Sequence, residues 1–326
     1  MSDPSPVTVI ATATKAWLDS QPEIVAIAAI GTAYGPVISM AVGLVTLIKN
    51  WNQDDKDNAR ASKIVREVVS QINDIIQRTE QNIKHYIDTV KDYIDNDTLK
   101  QYLYSMKGND YNLQLWLTTL ADSNFANFSE TGVVDCLQQS NKDIAGVEGC
   151  LLTAIEKKDP VRSLAIYQNL HDAVDLHTRI LKIIDKDAPF ESNIEIAAKL
   201  TLLIDLHPKV QSVVREFLRR QFVGPVRETY DAETGKIYVP PRRGIRSGPP
   251  PLVRTGDPPV LVRVFVYYFR GERRAPKVED GLFKERSADV VKARMEAHLD
   301  QVLTDYVGNF LAVQGEQQNA LAAIKG

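Results

Sequence analysis

Cysteine is nearly absent: the 326 residues hold two, Cys136 and Cys150. One pair excludes a disulfide scaffold, and no CxxC motif occurs. If one helix carries both, their separation of 14 residues corresponds to about 21 Å. A bridge needs Cα atoms within about 7 Å. The expectation is two unbridged thiols and a reducing compartment during folding.

Enzyme signatures are missing too. There is no GxxxxGK[ST], no GxGxxG after a strand and no GxSxG. The histidines of "HDAVDLH" (His171–His177) lie about 600° apart around a helix, on roughly opposite sides. A zinc pair takes i,i+4 spacing instead. His171, His177, His207 and His298 are read as solvated or core-edge side chains. No catalytic residue, metal ligand or cofactor is assigned, and the chain is read as a non-enzyme. Net charge is only −3, so the whole chain is not an electrostatic nucleic-acid binder. The opening "MSDPSPVTVIATATK" has no basic residue before Lys15, so it does not read as a secretory signal. The expectation is a protein made soluble in the cytosol, with later release to a target-cell membrane compatible.

What is present is helical period. At 44% hydrophobic and 25% charged, the composition is that of a globular protein. From Asp57 to Ile94 the apolar positions step by three and four, with Arg66, Glu67, Asp74 and Arg78 on the other face, which predicts one long amphipathic helix. A second helix begins at Leu99, is interrupted at "KGND" (Lys107–Asp110) and resumes; a third covers about Val133–Lys158. Asp159-Pro160 reads as an N-cap followed by proline at the first helical position. Ser192 caps the next helix, Pro208 kinks or splits it, and Gly224-Pro225 stops it. "VRETYDAETGKIYV" reads as a hairpin with Gly235 in the turn, and "VLVRVFVYYF" (Val260–Phe269) as a strand covered on both faces. Helical pattern resumes near Ser287. The predicted fold is mainly α, a multi-helix bundle with long amphipathic helices and a small β-containing segment before a C-terminal helix. Residues 1–223 form the bundle with a buried apolar segment. Residues 224–326 hold the β segment, an Arg/Pro-rich loop and the C-terminal helix packing on the bundle.

The sharpest absence is charge between Ile24 and Ile48. Twenty-five uncharged residues would make a helix of about 37 Å, enough to cross a hydrocarbon core of about 30 Å. Gly35-Pro36 divides the run into pieces too short to span alone. The candidate membrane-entry residues are Ile24, Val25, Ile27, Ile30, Gly31, Gly35, Pro36, Val37, Ile38, Val42, Leu44, Val45, Leu47 and Ile48, with Trp17, Lys49 and Trp51 as interface anchors. "GTAYG" and "SMAVG" permit close helix approach. An apolar segment of this length also suits a buried core helix. A basic region follows later: Pro240–Arg286 holds 11 basic and 5 acidic residues. Arg242, Arg243, Arg246, Arg254, Arg270, Arg273 and Arg274 are candidates for contact with an anionic surface, or a solvated loop balancing the acidic helices.

"IAAIGTAYGPVISMAVGLVTLIKNW", the long helix from Ala59 to Ile94, and "IEIAAKLTLLIDLHPKV" (Ile194–Val210) together resemble α-helical pore-forming toxins. These are the helical N-terminal domain of the three-domain insecticidal crystal toxins and, more loosely, the hemolysin-E-like cytolysins. The resemblance covers Pro22–Phe222, and the chain departs from the crystal toxins after that. It implies a soluble, insecticidal or cytolytic toxin-like protein that exposes its apolar segment on membrane contact. Its partners would be the lipid membrane and further copies of itself in a membrane-bound homo-oligomer, with a second protein component left open and no nucleic acid. The alternative is a non-enzymatic structural or assembly protein using its long helices for partner contacts.

Overall fold

A computed structural model describes residues 14–51, 58–84, 96–123, 130–184, 191–231, 261–270 and 282–325. The described elements are α1 (Pro22–Ala33), α2 (Gly35–Trp51), α3 (Asn58–Asn82), α4 (Asn96–Asp122), α5 (Glu130–Glu156), α6 (Pro160–Ile184) and α7 (Glu191–Arg219), then β1 (Phe222–Asp231), β2 (Leu261–Phe269), β3 (Leu282–Glu285) and α8 (Ala288–Lys325). The fold is mainly α with a small antiparallel sheet before a C-terminal helix.

The chain divides into two compact units. One comprises Lys15–Val214 and Thr304–Gly326; the other comprises Met1–Thr14 and Arg215–Leu303. The division therefore runs within α7 and α8, whereas the sequence suggested a boundary near residue 223.

In the helical unit α6 is the central element, packed by α1, α2, α3 and α5. Asp159 caps it: its Oδ1 accepts from the Arg162 backbone N–H at 3.0 Å, satisfying an end donor. Nearly every residue of α6 is buried. One apolar cluster joins Val65, Val68, Ile72 and Ile75 of α3 to Leu113 and Leu117 of α4, Val133 and Leu137 of α5, and Ile180 of α6. A second joins Leu44, Leu47 and Ile48 of α2 to Ile196 and Leu200 of α7 and Ile324 of α8.

Three details differ from the sequence expectation. Helix α4 runs without a break through "KGND". Asn109 and Asp110 are buried, and Asn109 Nδ2 donates to the Cys136 carbonyl at 2.9 Å. The polar pair thus faces α5 instead of making a turn. Helix α7 likewise continues through Pro208. On α3, Arg78 leaves the solvated face and is buried. The far end of the predicted Asp57–Ile94 helix, residues 85–95, lies outside the described residues. Cys136 and Cys150 both sit on α5, with no bridge between them.

The second unit holds a three-stranded antiparallel sheet in the order β1-β2-β3. Phe222 pairs with Phe269 and Asp231 with Leu261. Helix α7 ends at Arg219, short of Gly224-Pro225, which lies inside β1, where the register shifts between Val223 and Val226. Gly224 has φ +152, and a Cβ there would stand 2.7 Å from the Val266 carbonyl oxygen, so glycine is required at this point. The strand predicted at "KIYV" and its turn at Gly235 lie outside the described residues. β2 is covered only in its second half: Leu261 and Arg263 are exposed, while Val264 and Val266–Phe269 are buried. At the start of α8, Glu296 pairs with Arg215 at 2.8 Å and Arg219 at 3.3 Å.

Candidate functional site

Helices α1 and α2 together form a helical stretch, Pro22–Ile48, long and apolar enough to cross a membrane, with Glu23 in its first turn and no charge from Ile24 to Ile48. Tyr34 joins them in αR conformation, φ −76 and ψ −10, and its carbonyl still accepts from Ile38 at 3.0 Å. The chain therefore bends here without reversing. Pro36 has no N–H to give the Thr32 carbonyl, which accounts for the break.

This stretch is two-sided. Ile24, Ile27, Ile30, Gly31, Val37, Leu44, Leu47 and Ile48 are buried. Gly35, Ile38 and Val45 are half-buried. Val25 is 53% and Val42 45% exposed. With Ala29, Thr32, Pro36, Ser39 and Thr46 they form one exposed stripe at three- and four-residue spacing. The segment is therefore an outer helix with one buried face, not the enclosed core element that its composition suggested.

The stripe's hydroxyls are all turned inward on their own helix. Thr32 Oγ1 donates to the Ala28 carbonyl at 2.9 Å, Ser39 Oγ to Gly35 at 3.3 Å and Thr46 Oγ1 to Val42 at 3.1 Å. A face whose polar hydrogens are already used loses little on leaving water.

Behind the bend, polar groups hold the segment. Tyr34 Oη donates to the Leu164 carbonyl at 2.7 Å. Gln168 Nε2 donates to the Ala33 carbonyl at 2.8 Å. Arg179 donates to the Met40 carbonyl, and Arg78 Nη2 lies 3.0 Å from Met40 Sδ. Gly43 makes room for the Arg179 guanidinium, which would stand 3.3 Å from a Cβ. Gly31 is more tightly constrained: a Cβ there would lie 2.2 Å from the Tyr306 carbonyl oxygen. The backbone of α8 leaves helical geometry at the adjoining Val307, φ −132 and ψ 28.

The groups that grip α1–α2 belong to a buried charge network on and around α6. Arg78 and Asp172 form a two-point ion pair, Nε–Oδ2 and Nη2–Oδ1 each at 2.9 Å. Asp175 Oδ2 accepts from Arg179 Nε at 2.6 Å, one turn along the same helix. Asn82 Nδ2 bridges Gln168 and Asn169. His171 and His177 are buried, not solvated or at the core edge. Burial first, then the positive charges of Arg78, His207 and Arg179, pushes His171 down to about 3. Burial and then Lys199 lower His177 to about 4. On α4, burial and the nearby Asp172 and Asp143 push Asp110 up to about 8, so it stays protonated at neutral pH.

His177 meets Ser140 Oγ at 3.1 Å through Nδ1 and Glu195 Oε1 at 2.9 Å through Nε2. These residue types match a hydrolase triad, but Ser140 lies mid-helix in α5. Backbone N–H groups of that helix are engaged in helical bonds, so they cannot serve its hydroxyl as oxyanion donors. The trio works as a polar clasp between α5, α6 and α7. Among the described residues, no group of three or more His, Cys, Asp or Glu is placed to hold a metal ion.

Trp17 is half-buried and Arg270 exposed. The side chains of Lys49 and Trp51, and all of Arg242, Arg243, Arg246, Arg254, Arg273 and Arg274, lie outside the described residues. Sequence reasoning found the apolar stretch by its missing charge but missed the network behind it. One signal was readable: Asp175 and Arg179 at i,i+4. The Arg78–Asp172 pairing, 94 residues apart, had none.

Compared with family models, curated proteins and solved structures, the chain matches none.

Proposed function

We propose that this protein permeabilises membranes: α1–α2 leaves the helical bundle and enters lipid, and copies assemble there into a pore. The observation that carries the reading is the uncharged exposed stripe from Val25 to Thr46, with every hydroxyl satisfied within its own helix. An outer helix can depart without dismantling the centre of the bundle. The bonds to be broken are few and cluster at Ala33, Tyr34 and Met40, each worth about 1 kcal/mol. Transfer of the aliphatic side chains into hydrocarbon, at about 1.5–3 kcal/mol each, offsets the burial lost from the bundle.

Dye release from liposomes tests it. Val42 is 45% exposed, so Val42→Asp leaves the soluble fold in place. It would put a carboxylate into the bilayer at about 2.5–3.5 kcal/mol. Leakage should fall on the order of 100-fold. Equal leakage from both proteins would remove the segment from the mechanism, and no leakage by the wild type from any lipid composition would end the reading.

A second reading, an assembly protein without membrane activity, is supported by other exposed apolar side chains. Leu115 on α4 is 69% and Ile194 on α7 79% exposed, with Tyr104 and Tyr111 half-covered beside Leu115's helix face. A stable complex with a partner protein, together with no lipid binding, would favour it.

A further inference from the structure

The two compact units differ in the sign of their charge. The sheet-bearing unit, Met1–Thr14 and Arg215–Leu303, holds 18 Lys and Arg against 13 Asp and Glu; the helical unit holds 21 against 29. An anionic surface attracts the first and repels the second.

Within the sheet, the register shows where positive charge meets an open face. Side chains alternate across a strand. Arg227 pairs with Phe265 and Thr229 with Arg263, so these four and Leu261 share one face. At one end that face is closed, with Phe222, Tyr267 and Phe269 buried. Its far half is open: Arg227 and Arg263 are exposed, Leu261 is 45% exposed and Phe265 is half-buried. The opposite face is closed there, because Val264 and Val266 are buried in a cluster with Val226 and Val262. Arg227 and Arg263 are diagonal cross-strand neighbours. Glu285 of β3 stands opposite Phe265, and its carboxylate is taken by Arg294 of α8. Asp231 holds the last register position of the face.

Residues 232–260 leave β1 at Asp231 and return to β2 at its partner Leu261, so they start and finish at this open end. They carry five basic residues against Glu233 and Asp257. A segment of that sign is repelled by Arg227 and Arg263 instead of being drawn over them, and it adds to the positive potential at this end of the sheet.

We propose that the open half of this face is a docking surface for an anionic lipid bilayer. Arg227 and Arg263 bind headgroup phosphates, which suit the planar guanidinium fork. Leu261 and Phe265 rest against the boundary between headgroups and acyl chains, where apolar side chains beside cations are stabilised. A nucleic acid offers phosphates but no apolar layer for Leu261. The inference rests on the membrane reading for its partner, and adds the lipid class and the surface that meets it first.

Co-sedimentation of the full chain with vesicles tests it. Binding should be strong to mixed phosphatidylglycerol and phosphatidylcholine vesicles, weak to phosphatidylcholine alone, and reduced by salt. Arg227→Gln with Arg263→Gln should weaken the anionic binding on the order of 30-fold, with Tm unchanged because both side chains are exposed. Lys63→Gln with Arg66→Gln, both exposed on α3, removes the same charge from the helical unit and should leave binding within about 3-fold. Equal weakening by the two double variants, or equal binding to both kinds of vesicle, would overturn the docking surface. So would duplex DNA binding that depends on Arg227 and Arg263 while vesicle binding does not. Its failure is separable from that of the pore. Dye release without preferential anionic binding would keep the pore and remove this surface; anionic binding with equal leakage from wild type and Val42→Asp would do the reverse.

Discussion

Helices α1 and α2 carry no charge between Ile24 and Ile48, yet they present Val25, Thr32, Pro36, Ser39 and Val42 to solvent. Helix α6 carries Arg162, His171, Asp172, Asp175, His177, Arg179 and Lys182, yet all of these are buried. The polarity of the two regions is reversed relative to their positions. Two physical terms explain it. The buried charges on α6 have partners: Asp172 has Arg78, Asp175 has Arg179 and Lys182 has Asn193, and a matched buried pair is tolerated where a lone charge is not. The exposed stripe of α1–α2 is built from small side chains, with the larger aliphatics turned inward, so one face still meets the bundle. Mean composition ranks these helices wrongly, because placement follows satisfied partners and the side on which bulk falls.

The comparison breaks most readily at the ion pair. Asp172→Ala leaves Arg78 buried and unmatched, and the urea midpoint should report a loss of about 3–5 kcal/mol. A loss below about 1 kcal/mol would mean that Arg78 reaches water, and α6 would not be an enclosed polar core.

Acid should act on the same helix. His171 and His177 stay neutral in the fold, with values near 3 and 4, but titrate near 6.5 when unfolded. Their stabilising contribution is complete above about pH 6.5 and is lost as pH falls toward 4, at roughly 1 kcal/mol per pH unit each. Asp110 works in the opposite sense. Its folded value near 8 means that the fold binds the proton more tightly, so stability falls as pH rises from about 4 to 8. Between pH 6.5 and pH 5 the two histidines lose about 3 kcal/mol and Asp110 returns about 2, a net loss of roughly 1 kcal/mol, and Tm should peak between about pH 6 and 7. A Tm that is flat from pH 5 to 8 would contradict the burial of these groups.

In α1–α2 the constraints are steric. Gly31→Ala drives a methyl into the Tyr306 carbonyl and should cost about 1–3 kcal/mol, read by thermal melting. The smallest effect belongs to the stripe: Val42→Asp should change stability by no more than about 0.5 kcal/mol. A large drop there would mean that the stripe is covered, and the two regions would then differ less than described.

Much of the fold was legible in sequence. The three-and-four stepping of Val65, Val68, Ile72 and Ile75 marked α3, and Asp159-Pro160 marked the start of α6. Local signals failed where tertiary contact overrode them. "KGND" reads as a turn, but Asn109 spends its amide on the Cys136 carbonyl and α4 runs on. Pro208 reads as a breaker, but α7 passes through it with the neighbouring His207 ring stacked 4.2 Å from Phe310. Charge absence located the apolar segment but gave no sign of which face is exposed. That depends on α6, whose hold on Ala33 and Met40 comes from Gln168 and Arg179, more than 130 residues away.

One measurement tests the central claim most directly. With Cys136 and Cys150 replaced by alanine, an environment-sensitive fluorophore is attached at Val42→Cys, and a matched control is labelled at Leu115→Cys on α4. Vesicles containing lipids with spin-labelled acyl chains are then added. The account predicts that emission at position 42 rises in unlabelled vesicles and is quenched by the spin labels, while the label at 115 is not quenched. Leakage from the vesicles with no quenching at position 42 would contradict it.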